Sequence, residues 1–241
     1  MTETDFDIPT ADGAMNTRVV SPGGGGPHPV VLFYMDAFGV REELNEMARR
    51  LAAKGYLVLL PNLYYRETRR FVMKAGEEGM NQMRAMMGRL SIDLVNRDTR
   101  AMLDFLDARP DAEARRVGAV GYCMSGPFVF AAATEFPDRI AAIASVHGAN
   151  MVTERADSPH RAASRLRCEA YVACAEVDKW ASTADMAVLE RELQASGAPF
   201  QLEWYPGAQH GFVFPSRSGA YEHASAERHW QRLFDLFGRR L

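Results

Sequence analysis

The chain has 241 residues, 47% of them hydrophobic and 24% charged, with a formal net charge of −3. That length can bury one large core, and the composition is globular rather than disordered. The near-neutral balance, with no lysine/arginine stripe interleaved with aromatics, argues against a nucleic-acid partner.

Met1 to Asp7 carries three acids and no apolar run, so no secretory signal is expected. The longest mostly apolar stretch, Val117 to Ala133, is broken by Gly118, Gly121, Gly126 and Pro127 and does not read as a membrane span. Cys123, Cys168 and Cys174 are too scattered for a disulfide framework, and no pair has zinc-site spacing. A cytoplasmic protein, free of membrane and metal, is the expectation.

Val19-Val20 closes an early strand. The glycine run Gly23 to Gly26 that follows lacks the Lys-Ser/Thr ending of a phosphate loop and leads into a strand, so it reads as a connection. Val30 to Tyr34 is a continuous apolar run, as expected of a strand buried on both faces. Arg41 to Lys54 reads as an amphipathic helix with Leu44, Met47, Ala48 and Leu51 inward, ended by Gly55. Tyr56 to Leu60 is a second buried strand, stopped by Pro61.

The alternation then repeats. Ser91–Ala108 is a helix, Val117–Tyr122 a strand, Met124–Phe136 a helix and Ile140–Val146 a strand. Tyr171–Ala175 is a strand, Thr183–Ser196 a helix, Phe200–Tyr205 the last strand and Ala220–Phe237 the last helix. This order specifies a single α/β domain, a mostly parallel sheet with helices on both faces. Ligands bind such sheets at the carboxyl ends of strands, which makes polar groups just after a strand the candidates.

Gly121-Tyr122-Cys123-Met124-Ser125-Gly126 lies where a strand reverses into a helix, the setting of a nucleophile elbow. The following helix N-terminus favours a thiolate on Cys123, and the amide of Met124 would donate to a developing oxyanion. A buried structural cysteine is the plainer reading of Cys123 alone. Asp178 follows one strand and His210 another, both on the same edge. The order nucleophile, acid, histidine is that of α/β-hydrolases.

With these residues the sequence resembles the dienelactone hydrolase family over nearly its whole length. The Gly-x-Cys-x-Gly-Gly elbow is matched by Gly121, Cys123 and Gly126, with Ser125 in place of one glycine. The Pro-Asp-Leu-Tyr-x-Arg segment is matched by Pro61-Asn62-Leu63-Tyr64-Tyr65-Arg66. The resemblance implies a Cys123–His210–Asp178 triad and an α/β-hydrolase fold. It also implies that Asp36, standing for a family glutamate, modulates the nucleophile, and that the Ala37 amide is the second oxyanion donor. Asp36 could instead cap a helix starting near Val40. The family binds a substrate carboxylate with an arginine four residues after the histidine. Here Phe214 occupies that position, with Arg217 close by and Arg66, Arg69 and Arg70 as further candidates.

Met73, Met80, Met83, Met86 and Met87 form a helix-spaced stripe that reads either as core or as a pliable cap. His147, at the end of a strand on the elbow's edge, either contacts substrate or packs beside the triad, and Trp180 is a candidate pocket wall. His28, His160, His223 and His229 read as surface residues, Cys168 and Cys174 as structural. The function implied is hydrolysis of a small ester or lactone through a Cys123 acyl-enzyme, without a cofactor. A thioesterase or acyltransferase on the same triad is the alternative, as is a non-catalytic redox-sensing or ligand-binding protein. The oligomeric state is not legible.

Overall fold

The first strand is one that the hydrophobic pattern does not announce. In the computed structural model, which describes residues 1–241, β1 (Thr2–Thr10) pairs antiparallel with β2 (Gly13–Ser21) along its whole length. Only Ile8 of β1 is fully buried, so the strand is held mostly by main-chain bonds, with half-buried Phe6 packed on Phe105 at 5.2 Å between ring centres. Arg18, opposite Asp5, pairs with Asp5 at 2.8 Å and Glu3 at 3.4 Å.

The chain forms two compact units, Met1–Val117 and Gly118–Leu241. In the first, the strands lie in the order β1-β2-β4-β3, where β3 is His28–Tyr34 and β4 is Leu57–Pro61. β4 is antiparallel to β2 and parallel to β3, and each of its residues is buried, the mark of a strand covered on both faces. Helix α1 (Glu42–Ala52) packs on β4 and β2 through the expected Leu44, Met47, Ala48 and Leu51, and Gly55 beyond it has φ +98°. Helix α2 (Gly76–Gly88) carries most of the methionine stripe, yet only Met83 of those side chains is buried. Helix α3 (Ile92–Asp107) is capped by Ser91, whose Oγ accepts from Leu94 N, and it packs against β1.

In the second unit the order is β5-β6-β7-β8. The end of β5 (Ala112–Tyr122) runs into a single 3-10 turn, Cys123–Ser125, before helix α4 (Gly126–Glu135). The expected helix from Met124 is therefore split in two. β6 (Ile140–Val146) is buried at every residue, with α4 and the last helix, α7 (His223–Arg240), both packed on it. Between β6 and β7 (Glu169–Val177) lies a short helix, α5 (Pro159–Ala163), which the sequence pattern did not suggest. Helix α6 (Thr183–Ser196) has the expected bounds, a Ser182/Asp185 capping box and Gly197 at φ +70°. β7 is parallel to β6 and to β8 (Phe200–Gln209), with a register irregularity between Ala175 and Val177. No helix is long and apolar enough to cross a membrane.

One surface expectation is overturned. His229 is fully buried in α7, bonded to the Tyr122 hydroxyl at 3.1 Å and the Ala226 carbonyl at 2.8 Å. Facing the sheet on an amphipathic helix, it is a satisfied core histidine. His28 and His160 are half-buried, and His223 is exposed.

Candidate active site

Cys123 stands on a strained turn. Its φ is +55°, a left-handed conformation that a non-glycine residue adopts at a cost of about 1 kcal/mol or more. The turn holds because its neighbours leave no alternative room. A Cβ on Gly121 would lie 2.3 Å from the Ser125 carbonyl oxygen, and one on Gly126 would lie 2.5 Å from the Gly148 Cα and the Ser145 Oγ. The Cys123 carbonyl in turn accepts from the Ala149 amide at 2.9 Å. Cys123 is half-exposed, whereas Cys168 and Cys174 are buried, and all three are free thiols. Burial, helped by Asp178 and Glu190, pushes the Cys174 thiol up to about 12, which makes it inert at neutral pH.

Asp178 and His210 meet. Asp178 sits one residue beyond the end of β7, just past its irregular register, and His210 directly follows β8. His210 Nδ1 lies 2.7 Å from Asp178 Oδ2, and the Asp178 carboxylate is fully buried. Its other oxygen accepts from the Trp180 amide at 2.8 Å, while the Trp180 carbonyl accepts from Asn150 N at 3.0 Å. Asn150, at φ +55°, thus helps hold the segment that orients the acid. No sequence signal had pointed to it, because its contribution is a backbone amide.

Burial alone would hold the His210 imidazole down. The bond to Asp178 and the neighbouring Cys123 sulfur outweigh it and push its pKa up to about 9. His210 Nε2 is buried and has no hydrogen-bond partner in this resting arrangement, so it is the ring nitrogen open to a reacting group. The influence of Cys123 is therefore that of a close sulfur rather than of a formed hydrogen bond.

His147 sits beside this pair. Its ring is 4.8 Å from that of His210 in an edge-on contact, and it also touches Phe212, Phe214 and Tyr122. It is buried, its φ is +39°, and neither ring nitrogen has a partner. Burial foremost, then the charges of His210 and Arg217, hold it well below the usual histidine range, so it is neutral. Phe214 is fully buried against His147 and Tyr122, and the Arg217 guanidinium lies 5.5 Å from the Phe214 ring centre. Met124 is buried directly after Cys123. The Trp180 side chain is 47% exposed, with Lys179 over its ring.

The remaining candidates belong to the first unit. Asp36 is fully buried and receives two bonds from Arg41, at 2.5 and 3.1 Å, and one from the Phe38 amide at 3.1 Å. It does not cap a helix from Val40, because α1 starts only at Glu42 with Arg41 as its N-cap. Ala37 beside it is buried, and its carbonyl accepts from the Tyr64 hydroxyl. Arg66 is held on both sides. Its guanidinium forks to buried Asp98 at 2.7 and 2.9 Å and reaches Asp12 at 2.8 Å, so it is an internal counter-charge rather than a group presented to a ligand.

The dienelactone hydrolase family model matches residues 15–241. A Synechocystis protein provisionally named carboxymethylenebutenolidase is 26% identical, with 95% of this chain and 94% of that one covered. An Escherichia coli K12 protein of the same provisional name is 27% identical over 88% of this chain and 77% of its own. Among solved structures, a provisionally named dienelactone hydrolase from Klebsiella pneumoniae superposes with a TM-score of 0.88 at 24% identity, covering 98% of each chain. A dienelactone hydrolase-like promiscuous phosphotriesterase from metagenomic libraries gives 0.80 at 23%, covering 99% of this chain and 97% of that one. At those identities the superpositions speak for the α/β-hydrolase fold, while the sequence match carries the ancestry. The chain belongs to the dienelactone hydrolase family.

Proposed function

We propose that the protein hydrolyses a small carboxylic ester or lactone through an acyl-enzyme on Cys123, with His210 as base and Asp178 orienting it. The observation that carries this reading is the anchored histidine: Nδ1 on a buried carboxylate at 2.7 Å, Nε2 unpartnered, and a half-exposed cysteine on a strained turn nearby. An imidazole with a pKa of about 9 is largely protonated at neutral pH, which favours a thiolate on the adjacent cysteine.

In this mechanism the Cys123 thiolate adds to the substrate carbonyl and the Met124 amide donates to the oxyanion. His210 gives its proton to the departing alkoxide. It then takes a proton from water, which attacks the thioester and releases the acid and the free thiolate. A thiolate leaves easily from a tetrahedral adduct, so alkoxide leaving groups suit it better than amines. Trp180, which is exposed, would line the acyl side, buried His147 and Phe214 would support the site without touching substrate, and Arg217, beside Phe214, would meet a carboxylate on the substrate.

Turnover of p-nitrophenyl acetate by wild type, Cys123→Ala and Cys168→Ala tests the reading. Cys123→Ala should lose at least about 10³-fold in kcat, as removal of a triad nucleophile does, and Cys168→Ala should keep the wild-type rate. Equal activity in all three would end it. For Arg217→Met, KM should rise for an ester bearing a second carboxylate and stay unchanged for a neutral one. A KM that moves equally for both would remove Arg217 from substrate recognition.

A further inference from the structure

Three non-glycine residues of the chain hold a positive φ: Cys123 at +55°, His147 at +39° and Asn150 at +55°. Backbone of this kind is costly for a residue with a Cβ, persists only where the surroundings enforce it, and gathers at functional sites. One of the three is the nucleophile of the proposed triad. The other two bound a four-residue segment, His147 to Asn150, that leaves the carboxyl end of β6.

That segment reaches all three members of the triad. The Ala149 amide donates to the Cys123 carbonyl at 2.9 Å, and the Asn150 amide to the Trp180 carbonyl at 3.0 Å. Trp180 in turn donates its own amide to Asp178 Oδ1 at 2.8 Å. The His147 ring lies 4.8 Å from the His210 ring. The segment is itself held in place. The His147 amide donates to the Ala173 carbonyl of β7 at 2.8 Å, and a Cβ on Gly148 would lie 2.4 Å from Ser145 Oγ and 3.2 Å from Gly126 Cα. Phe212, Phe214 and Tyr122 pack on the His147 ring, with centres 5.4–6.0 Å away. Neither nitrogen of that ring is bonded, so it acts on His210 by contact and leaves His210 Nδ1 to Asp178.

We propose that His147–Asn150 is a strained brace that fixes Cys123, His210 and Asp178 in one register, with His147 as the positioning residue for the base. The inference rests on the triad reading given above. His147 contributes packing rather than a proton: it keeps the His210 ring turned so that Nδ1 stays on Asp178 and Nε2 stays free.

Steady-state kinetics with p-nitrophenyl acetate, joined to proton NMR of the His210–Asp178 hydrogen bond, test it. His147→Ala should lower kcat by about 10²-fold, the cost of a misplaced catalytic group, with KM unchanged. His147→Phe, which refills the space without ring nitrogens, should recover most of that loss. Asn150 is exposed, so its replacement alters the backbone without emptying the core. Asn150→Val should lower kcat in the same sense, because a β-branched residue resists φ +55°, while Asn150→Gly should lose little. The far-downfield Nδ1 proton shared with Asp178 should be visible in wild type and His147→Phe and lost to exchange in His147→Ala. That signal needs no turnover, so an inactive wild type would end the hydrolase reading while the brace would still be decided by the signal. A wild-type kcat in His147→Ala, a raised KM at unchanged kcat, or equal losses in the alanine and phenylalanine variants would overturn the proposal. So would the same NMR signal in all three proteins, or equal kcat in Asn150→Val and Asn150→Gly.

Discussion

At the level of single residues, the placement of a charge decides what it can do. Arg66 and Arg217 were equal candidates for a substrate carboxylate as sequence, because spacing cannot show that Arg66 lies against Asp98. The structure separates them. Burial pushes the Asp98 carboxyl up in spite of Arg66 and the Tyr65 hydroxyl, so this acid depends on its partner to stay ionised. Arg66→Ala should therefore cost about 3 kcal/mol or more in urea unfolding, the penalty of an uncompensated buried charge, with KM unchanged. A loss below about 1 kcal/mol together with a raised KM would return Arg66 to the substrate side. Asp178 has the opposite standing: its carboxylate lifts another group. In Asp178→Asn the His210 titration followed by NMR should move down from about 9, and kcat should fall by about 10²–10⁴-fold. A wild-type His210 that titrates near the ordinary 6.5 would contradict the pairing.

Among the elements, the elbow was the most legible piece and also the most tightly built. The sequence signal was a cysteine framed by glycines after a strand, and those glycines prove to be steric necessities. Gly121→Ala would place a methyl 2.3 Å from a backbone oxygen, and Gly126→Ala one 2.5 Å from the Gly148 Cα. Each should destabilise by about 2 kcal/mol or more, because backbone cannot yield as a side chain can. Gly88, at the end of α2, has nothing within 4 Å and no positive φ. Gly88→Ala should thus stabilise by about 0.5–1 kcal/mol, through the lower entropy of the unfolded chain. Urea midpoints of the three variants check the order. Equal effects would mean that the elbow is not sterically determined. What the pattern missed has physical reasons: β1 fully buries one side chain and is held mostly by main-chain bonds, and α5 is too short for periodicity to register. Asn150 acts through an amide that any residue possesses. The methionine stripe had the helical spacing of a packed face, yet spacing alone could not say that only Met83 finds a core to enter.

For the whole molecule, two histidines set opposite limits on stability. His210 has a folded pKa of about 9, above its unfolded value near 6.5. Its contribution is complete below about 6.5 and is lost as pH rises through about 9. His147 is shifted the other way, so the unfolded chain takes up a proton that the folded one refuses, and stability falls as pH drops below about 6.5. Tm plotted against pH should therefore be highest near 6.5 and decline on both sides. His147→Phe should flatten the acid limb and His210→Gln the alkaline limb. Limbs unchanged in these variants would assign the pH dependence to other groups.

Hydrolysis by the proposed route requires a covalent bond to one sulfur. Rapid-quench mass spectrometry of the protein reacting with p-nitrophenyl acetate, followed by peptide mapping, detects that bond directly. The expected result is a transient acetyl group on the peptide carrying Cys123, accumulating when His210 is replaced by glutamine and absent in Cys123→Ala. Turnover without an acyl intermediate, or an acetyl group on Ser125 instead, would contradict it.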